Sequence, residues 1–275
     1  MTPKRPMPRR TRILFYIVAW FVVLMPFLFW RGTWFGRPLN DPEITKYLHD
    51  DRKPRHIQHA LVQIGERINR GNHNIEQWTG DLVRLASYPV EEVRNTDAWV
   101  MGQDNSNQQF HEALLKMLYD SSPLVRSNAA LALVRFGDAS GRPQIVAMLQ
   151  PLAVTAPAAG RVTAVARAGE AANHATVLAK LERQGQLVEV RAPISGHVHS
   201  IEAQVGADVA EGGQLAVLNP GDDQVWEALR ALYANGRPDD LPAVAPYKNP
   251  SREYSQRIAQ QAAETERAIQ ERASR

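Results

Sequence analysis

Residues 120–138 read Asp-Ser-Ser-Pro-Leu-Val-Arg-Ser-Asn-Ala-Ala-Leu-Ala-Leu-Val-Arg-Phe-Gly-Asp, and no other segment says as much about the fold. Pro123 suits the first turn of a helix, where its missing N–H has no intrahelical partner. Ser122 is a favoured N-cap residue, and Gly137 suits the left-handed position just past a helix end. The residues between them are apolar on nearly every face. We therefore expect a helix that is packed on more than one side.

The same layout occurs twice upstream, in segments that begin at Pro54 and Pro89. The three prolines are separated by 35 and 34 residues. Before the second and third of these helices, apolar residues recur every three or four positions, which is typical of an amphipathic helix. They are Ile75, Trp78, Leu82 and Leu85, and then Phe110, Leu114, Leu115 and Leu118. A repeat of helix pairs at this period predicts a short α-solenoid.

These segments resemble HEAT-type repeats. The run 120–138 matches the second-helix pattern of that family closely, while Pro89, Ala98 and Gly102 match it more loosely. The resemblance covers about residues 41–150. It implies a solenoid that binds other proteins and that has no catalytic role.

The composition changes after Gln150 to short Val-, Ala- and Gly-rich runs. Two half-motifs begin at Ala156 and Ala192, each with a proline in second place and a Gly-x-Val sequence soon after. Matching positions of the two half-motifs lie 36 residues apart; Gly160 and Gly196 are one such pair. Short alternating runs separated by such turns predict a small β structure over residues 151–220.

This β segment resembles the biotinyl/lipoyl domain, a flattened β-barrel of two quasi-symmetric halves that also occurs without cofactor in membrane-fusion (periplasmic adaptor) proteins. In carrier members, a lysine on the hairpin between the halves bears the cofactor. Here Gly185 occupies that slot, and the nearest lysine, Lys180, is out of register. The resemblance therefore implies no cofactor. It leaves the hairpin tip, which consists of Arg183, Gln184, Gly185 and Gln186, as a candidate interaction site.

The N-terminal part predicts a membrane anchor. An uncharged run begins at Ile13 and ends at Trp30, close to the length that a bilayer core requires, and Trp20, Trp30 and Trp34 are candidate interfacial anchors. A cleaved signal peptide is the alternative, but its apolar region is shorter. Basic residues precede the run, so the N-terminus is expected inside the cell. This predicts a single-pass protein of the bacterial inner membrane, with its bulk in the periplasm.

The predicted fold class is thus a multidomain α+β chain. Residues 1–12 form a basic cytoplasmic segment, 13–30 a transmembrane helix, 41–150 a HEAT-like α-solenoid and 151–220 an inserted biotinyl/lipoyl-like flattened β-barrel. Residues 222–275 form C-terminal helices that resume the solenoid.

The chain offers few candidates for chemistry. It contains no cysteine, which excludes disulfides, thiol catalysis and cysteine-ligated metals. Its net charge is +3, and five cations precede the anchor, which argues against nucleic-acid binding. Two histidine pairs, His56 with His59 and His197 with His199, have spacings that suit a metal, but no third ligand accompanies them. Acidic pairs at Glu91, Asp222 and Asp239 lie at predicted helix starts, where the helix dipole stabilises carboxylates. We expect no metal site, no catalytic residues and no enzymatic activity.

The function hypothesis is a membrane-anchored extracytoplasmic scaffold, a non-catalytic accessory of a larger complex. Its expected partners are an integral-membrane or extracytoplasmic protein complex and membrane lipid, with a homo-oligomer as a further possibility. The alternative is a reduced periplasmic adaptor of a transport or efflux system, which lacks the long helical hairpin of that class. A third class is a carrier or enzyme subunit, which would require an acylated lysine.

Overall fold

The computed structural model describes residues 9–33, 37–71, 74–251 and 253–274. Within these ranges the chain is α+β, with eleven α-helices and two four-stranded antiparallel sheets. The helices are α1 (Arg9–Thr33), α2 (Asp41–Leu48), α3 (Pro54–Asn69), α4 (Thr79–Leu85), α5 (Glu91–Met101), α6 (Gln108–Met117), α7 (Pro123–Arg135), α8 (Arg142–Ala147), α9 (Asp222–Asn235), α10 (Leu241–Val244) and α11 (Gln256–Ala273). The strands are β1 (Leu152–Thr155), β2 (Gly160–Val165), β3 (Ala171–Ala172), β4 (Val177–Arg183), β5 (Gln186–Arg191), β6 (Gly196–Ile201), β7 (Asp208–Val209) and β8 (Gln214–Pro220).

The predicted transmembrane anchor falls within α1. Across the described ranges, none of the helices combines the length and the apolar character that crossing a bilayer demands. This finding overturns the predicted anchor, and with it the localisation as a single-pass inner-membrane protein with a periplasmic bulk. The uncharged run between Arg12 and Arg31 has 18 residues, which is near the lower limit of the about 20 that a bilayer core requires. Its length alone could not decide the matter.

Helices α2 to α9 pack in pairs, α2 with α3, α4 with α5, α6 with α7 and α8 with α9. The starts of several of these helices are set by local sequence. Asn40 and Glu43 form a reciprocal capping box at α2, with N–H···O distances of 2.9 and 3.1 Å. The Ser122 hydroxyl accepts from the backbone N–H groups of Leu124 and Val125 at the start of α7. Such caps satisfy backbone donors that have no partner inside the helix. Gly137 follows α7 with φ of 72°, as expected from the sequence.

The second helices of the pairs, α3, α5, α7 and α9, pack side by side in that order. Their buried faces and those of the first helices form one hydrophobic core, which draws on residues 39–149 and also on residues 225–262. The helices on either side of the β segment are joined by polar contacts as well. The Tyr247 hydroxyl donates to the Leu149 carbonyl at 2.6 Å, and Arg142 pairs with the buried Asp240 at 2.8 Å.

The β segment has its own core and consists of two sheets, with strand orders β1-β8-β6-β3 and β5-β4-β2-β7. The predicted flattened barrel is therefore wrong, because the sheets are separate and do not close on each other. Each sheet ends on one side in a two-residue strand, β3 or β7. Alternating sequence predicts strands and their inward faces, but it does not show whether the edge strands pair to close a barrel.

The two sheets have equivalent strand arrangements. β2 lies between β4 and β7 in one sheet, and β6 lies between β8 and β3 in the other. The 36-residue spacing of Gly160 and Gly196 places each glycine at the start of one of these inner strands. At Gly196 a Cβ atom would lie 2.0 Å from the Asn219 carbonyl oxygen, so the close approach of β6 and β8 requires glycine there.

Candidate functional site

A groove with a volume of about 710 Å³ lies across the second helices of the pairs. We call it the concave groove. Its lining comes from α5, α7, α9 and α11 together with the residues that follow α5: Trp99, Gly102, Gln103, Asn128, Leu131, Ala132, Val134, Arg135, Glu227, Arg230, Ala231, Tyr233, Ala234, Gln261 and Glu264. Because the helices pack in sequence, the groove draws residues from positions up to 165 apart in the chain.

Two exposed aromatic side chains give the concave groove its apolar surface. Trp99 is 38% exposed and Tyr233 is 50% exposed. Large amphipathic rings at such positions are enriched in protein-binding surfaces, since they bury much area for little loss of side-chain entropy. Leu131, half-buried on α7, lies in the same groove.

Small residues position Trp99 and bring the helices together. A Cβ atom on Gly65 would lie 2.6 Å from Cζ3 of Trp99, so the indole ring rests directly on the backbone of α3. A Cβ atom on Gly102 would lie 2.6 Å from Cβ of Ala132, which allows the close approach of α5 and α7. The ring therefore has a rigid support, which lowers the entropy cost of burying it under a ligand.

The polar residues of the concave groove make few strong internal contacts. Arg135 donates to the Gln103 side-chain oxygen at 2.6 Å. Arg230 and Glu227 form an ion pair at 3.6 Å, with side chains 58% and 49% exposed. Exposed pairs of this kind contribute little to stability. These charges are consequently available to a binding partner.

Asp97 is a strongly perturbed titratable group, but it does not face the concave groove. It is fully buried in α5, and neither carboxylate oxygen has a hydrogen-bond partner. Desolvation raises the pKa of the Asp97 carboxyl well above 3.8, against an opposing effect of the Arg84 charge. Side chains two positions apart on a helix point about 200° away from each other, so Asp97 and Trp99 face opposite sides. We assign Asp97 to the core.

A second concavity of about 610 Å³ lies between α4 and α6, and it shares no lining residue with the concave groove. Tyr119, 88% exposed, lies at its rim. Beside it Arg94 makes a two-point ion pair with Asp120, with N···O distances of 2.7 and 2.9 Å. This pair joins successive helix pairs and is structural.

The predicted hairpin tip is a two-residue turn. Arg183 pairs with Gln186 across the strands, and Gln184 and Gly185 between them have φ of 51° and 77°. Two consecutive positive φ values define the turn that matches strand twist best. All four tip residues are exposed. Gly185, at the predicted lysine slot, bears no amine, and Lys180 is paired with Glu189 across the strands at 3.3 Å.

The first histidine pair has structural partners. The His56 ring stacks on Tyr47, and its Nδ1 lies 2.7 Å from Asp50. His59 is buried, and desolvation lowers the pKa of its imidazole.

The second histidine pair lies near the junction between the sheets and the C-terminal helices. His199 Nδ1 is 3.2 Å from the Asn219 amide, which also donates to Glu253 at 2.8 Å. Over the ranges that the structure describes, no group of three or more histidine, aspartate and glutamate residues could hold a metal ion.

The acidic pairs lie at helix starts, as the sequence indicates. Glu91 is in the first turn of α5, where it accepts from the Ser122 hydroxyl at 2.7 Å and faces His174 of the β segment at 3.3 Å. Asp222 begins α9, and Asp239 lies in a 3₁₀ turn. These positions favour a structural role for the carboxylates.

The predicted membrane-anchor residues have different outcomes. Trp20 lies on α1 and is 61% exposed. Only the backbone of Trp30 is described, and Trp34 lies outside the described residues. The neighbouring apolar side chains of α1, from Ile13 to Val23, are exposed as well.

Comparison with known proteins gives little further information. No family model and no curated protein matches the chain. One similar solved structure is a single-chain, multi-domain long-chain acyl-CoA carboxylase, with 28% identity over 35% of this chain and a TM-score of 0.25. The chain spans about a tenth of that protein's length. At this TM-score the likeness carries no argument about fold or activity.

Proposed function

We propose that this chain is a non-catalytic binding protein whose concave groove holds a segment of another protein. The observation that carries the proposal is the groove itself. Two exposed aromatic rings, Trp99 and Tyr233, lie in one concave surface built by the four helices α5, α7, α9 and α11. Stacked helix pairs present long continuous surfaces of this kind, and their usual ligands are proteins.

We propose further that the helix pairs are HEAT-type repeats and that the β segment is a cofactor-free unit of the biotinyl/lipoyl type. The side-by-side packing of α3, α5, α7 and α9 supports the first assignment. Two four-stranded sheets of equivalent order, with Gly185 in the tip turn, support the second. The exposed tip from Arg183 to Gln186 is then a second contact surface.

The adaptor alternative has no observation of its own in its favour. Adaptors of that class insert a long helical hairpin between the two halves of the β unit, whereas here only Gln184 and Gly185 connect β4 to β5. A carrier function lacks support for a related reason, since the tip turn offers no amine to acylate.

Site-specific photocrosslinking tests the proposed function. Tyr233 and Tyr119 are both exposed tyrosines, but Tyr233 lines the concave groove and Tyr119 lines the second concavity. Each is replaced in turn by benzoylphenylalanine, and the full chain is expressed at its normal level in its host. We expect a discrete protein adduct from position 233 and none from position 119.

Two results would contradict the proposal. The first is the absence of an adduct from position 233, and from position 131 used as a second groove site. The second is the same adduct, in equal yield, from positions 233 and 119. Adducts between copies of the chain at position 233 would identify a second copy as the partner.

A further inference from the structure

The charges of the concave groove are unequally distributed across its helices. In the middle, Arg230 and Glu227 of α9 pair at 3.6 Å and offset each other. On one side, α7 carries Arg135, whose guanidinium donates to the amide oxygen of Gln103. Because the amide is neutral, this hydrogen bond does not offset the positive charge of Arg135. On the other side, α11 carries the exposed carboxylate of Glu264. Because α9 packs against both α7 and α11, it separates the two charges.

We infer that the concave groove holds an extended peptide segment in one direction only, with an acidic side chain at Arg135 and a basic side chain at Glu264. This inference rests on the proposed function and adds the chemistry of the partner. Opposite charges at the two ends make the reversed peptide meet a like charge at both ends. Like-charge contacts discriminate against a wrong orientation more effectively than matched pairs strengthen the right one.

The geometry also sets the spacing of the two charges in the peptide. Packed helices are about 8–10 Å apart, so two steps, from α7 to α9 and from α9 to α11, cover about 16–20 Å. An extended chain rises about 3.3 Å per residue, so the span corresponds to about five or six residues. Between the charges the peptide passes Tyr233 and Ala234, both exposed. We therefore expect apolar residues between its acidic and basic ends.

A selection from a displayed library of random 12-residue peptides tests this inference with the full chain as the target. Three further targets are selected in parallel. The first is the double variant Arg135→Glu with Glu264→Arg, which exchanges the end charges. The second is Glu112→Lys with Lys116→Glu, which exchanges charges on α6, away from the concave groove. The third is Leu131→Arg, which fills the groove. Urea midpoints confirm that each variant is folded.

The natural chain is expected to enrich peptides with acidic and basic residues in one fixed order, about five or six residues apart. The groove double variant should enrich the opposite order, and the α6 variant the original one. Arg135→Glu alone should weaken a selected peptide by about five- to tenfold, because an exposed attraction becomes a repulsion.

The possible failures are distinguishable. In one outcome, the enriched peptides fail to bind Leu131→Arg but show no order of charges, or they show the same order with the groove double variant as with the α6 variant. The inferred peptide direction is then wrong, but the concave groove remains the binding site. If enriched peptides bind Leu131→Arg as well as the natural chain, or if no peptide is enriched, the inference and its occupant are both refuted. Photocrosslinking at Tyr233 then decides the proposed function independently.

Discussion

The ion pair between Arg94 and Asp120 gives the sharpest test of how the helix pairs are held together. Their side chains are only 12% and 9% exposed. The carboxylate accepts two bonds from Arg94 and a third, at 2.8 Å, from the backbone N–H of Ser122. Arg94 also donates to the carbonyl of Tyr88 at 2.8 Å. The pair thus joins α5 to the loop before α7, and its removal should weaken the whole array.

Replacing Asp120 by alanine leaves the Arg94 charge buried without its counterion, a defect that costs about 3–5 kcal/mol. Since the Tyr88 carbonyl remains as an acceptor, we expect the lower end of that range, about 3 kcal/mol. The free energy of unfolding is measured from urea titrations followed by far-ultraviolet circular dichroism. The double variant with Arg94→Met should cost less than the sum of the two single changes, because it leaves no unpaired charge.

A matched control is the exposed pair of Arg70 and Glu66, whose side chains are 76% and 42% exposed. Glu66→Ala should cost less than about 0.5 kcal/mol. If Asp120→Ala costs no more than this control, or if the double variant shows no coupling, the pair is not what joins the repeats.

The same pair makes stability depend on pH. Burial opposes ionisation of Asp120, but the hydrogen bonds from Arg94 and Ser122 outweigh it and hold the pKa of the carboxyl below 3.8. A depressed pKa contributes stability above the ordinary value, and that contribution is lost as the pH falls through the folded value. The difference in stability between the natural chain and Asp120→Asn should therefore be constant near neutral pH and shrink below about pH 4.

Three further predictions concern single side chains. Burial raises the pKa of Asp97 well above 3.8, so the folded state retains a proton that the unfolded state loses. As the pH rises from 4 to 7, the Asp97→Asn variant should therefore gain stability relative to the natural chain. Urea midpoints that show no such trend would refute the buried neutral carboxyl. Arg272 donates to three backbone carbonyls at the end of α9, so Arg272→Ala should lower the free energy of unfolding by about 1–3 kcal/mol, whereas exposed Arg267→Ala on the same helix should change it by less than about 0.5 kcal/mol. Gly65→Ala would place a methyl group against the Trp99 ring and should lower the free energy of unfolding by about 1–3 kcal/mol. The fluorescence emission of Trp99, obtained as the difference from a Trp99→Phe background, should shift. An unchanged spectrum would show that the ring does not rest on α3.

The sequence predicts the structure best where the cause is local. Ser122, Pro123 and Gly137 mark the start and end of α7, because capping and left-handed backbone depend on single residues. In the same way, the 36-residue spacing of Gly160 and Gly196 predicts two related halves in the β segment. The resemblance to the biotinyl/lipoyl domain places a hairpin tip at Gln184 and Gly185, and both residues lie in a turn with positive φ. The role of the tip as an interaction site stays a prediction.

The candidate site was missed because it depends on long-range packing. Nothing in the local sequence of α5 separates Trp99 from its buried neighbours Ala98 and Val100, although its ring rests on Gly65 of α3 and is 38% exposed. Tyr233 and Glu264 come from helices beyond the β segment, which no local pattern relates to Arg135. The available signal was one exposed aromatic residue on each of two helices, Trp99 on α5 and Tyr233 on α9, but its meaning depends on which helices are neighbours.

The predicted β-barrel and the predicted membrane anchor are wrong because the sequence criteria for both are not selective enough. A barrel and a pair of facing sheets share the same alternating strands and differ only in whether their edges bond, which composition does not encode. The length and basic flank of the apolar run that ends at Trp30 predict an anchor, but 18 residues is a length at which this criterion is least selective.

The position of the β segment has a mechanical consequence. The chain enters the sheets at β1 and leaves at β8, and these two strands are hydrogen-bonded neighbours, with Leu152 opposite Leu218. Meanwhile α8 and α9 pack directly on each other, and Gln224 of α9 donates to the Met148 carbonyl at 2.8 Å. Tension applied along the helical array therefore passes from α8 to α9 through their shared face. The covalent path through β1 and β8 runs parallel to this noncovalent contact, so the α8–α9 face must separate before the chain can pull on the sheets from both ends.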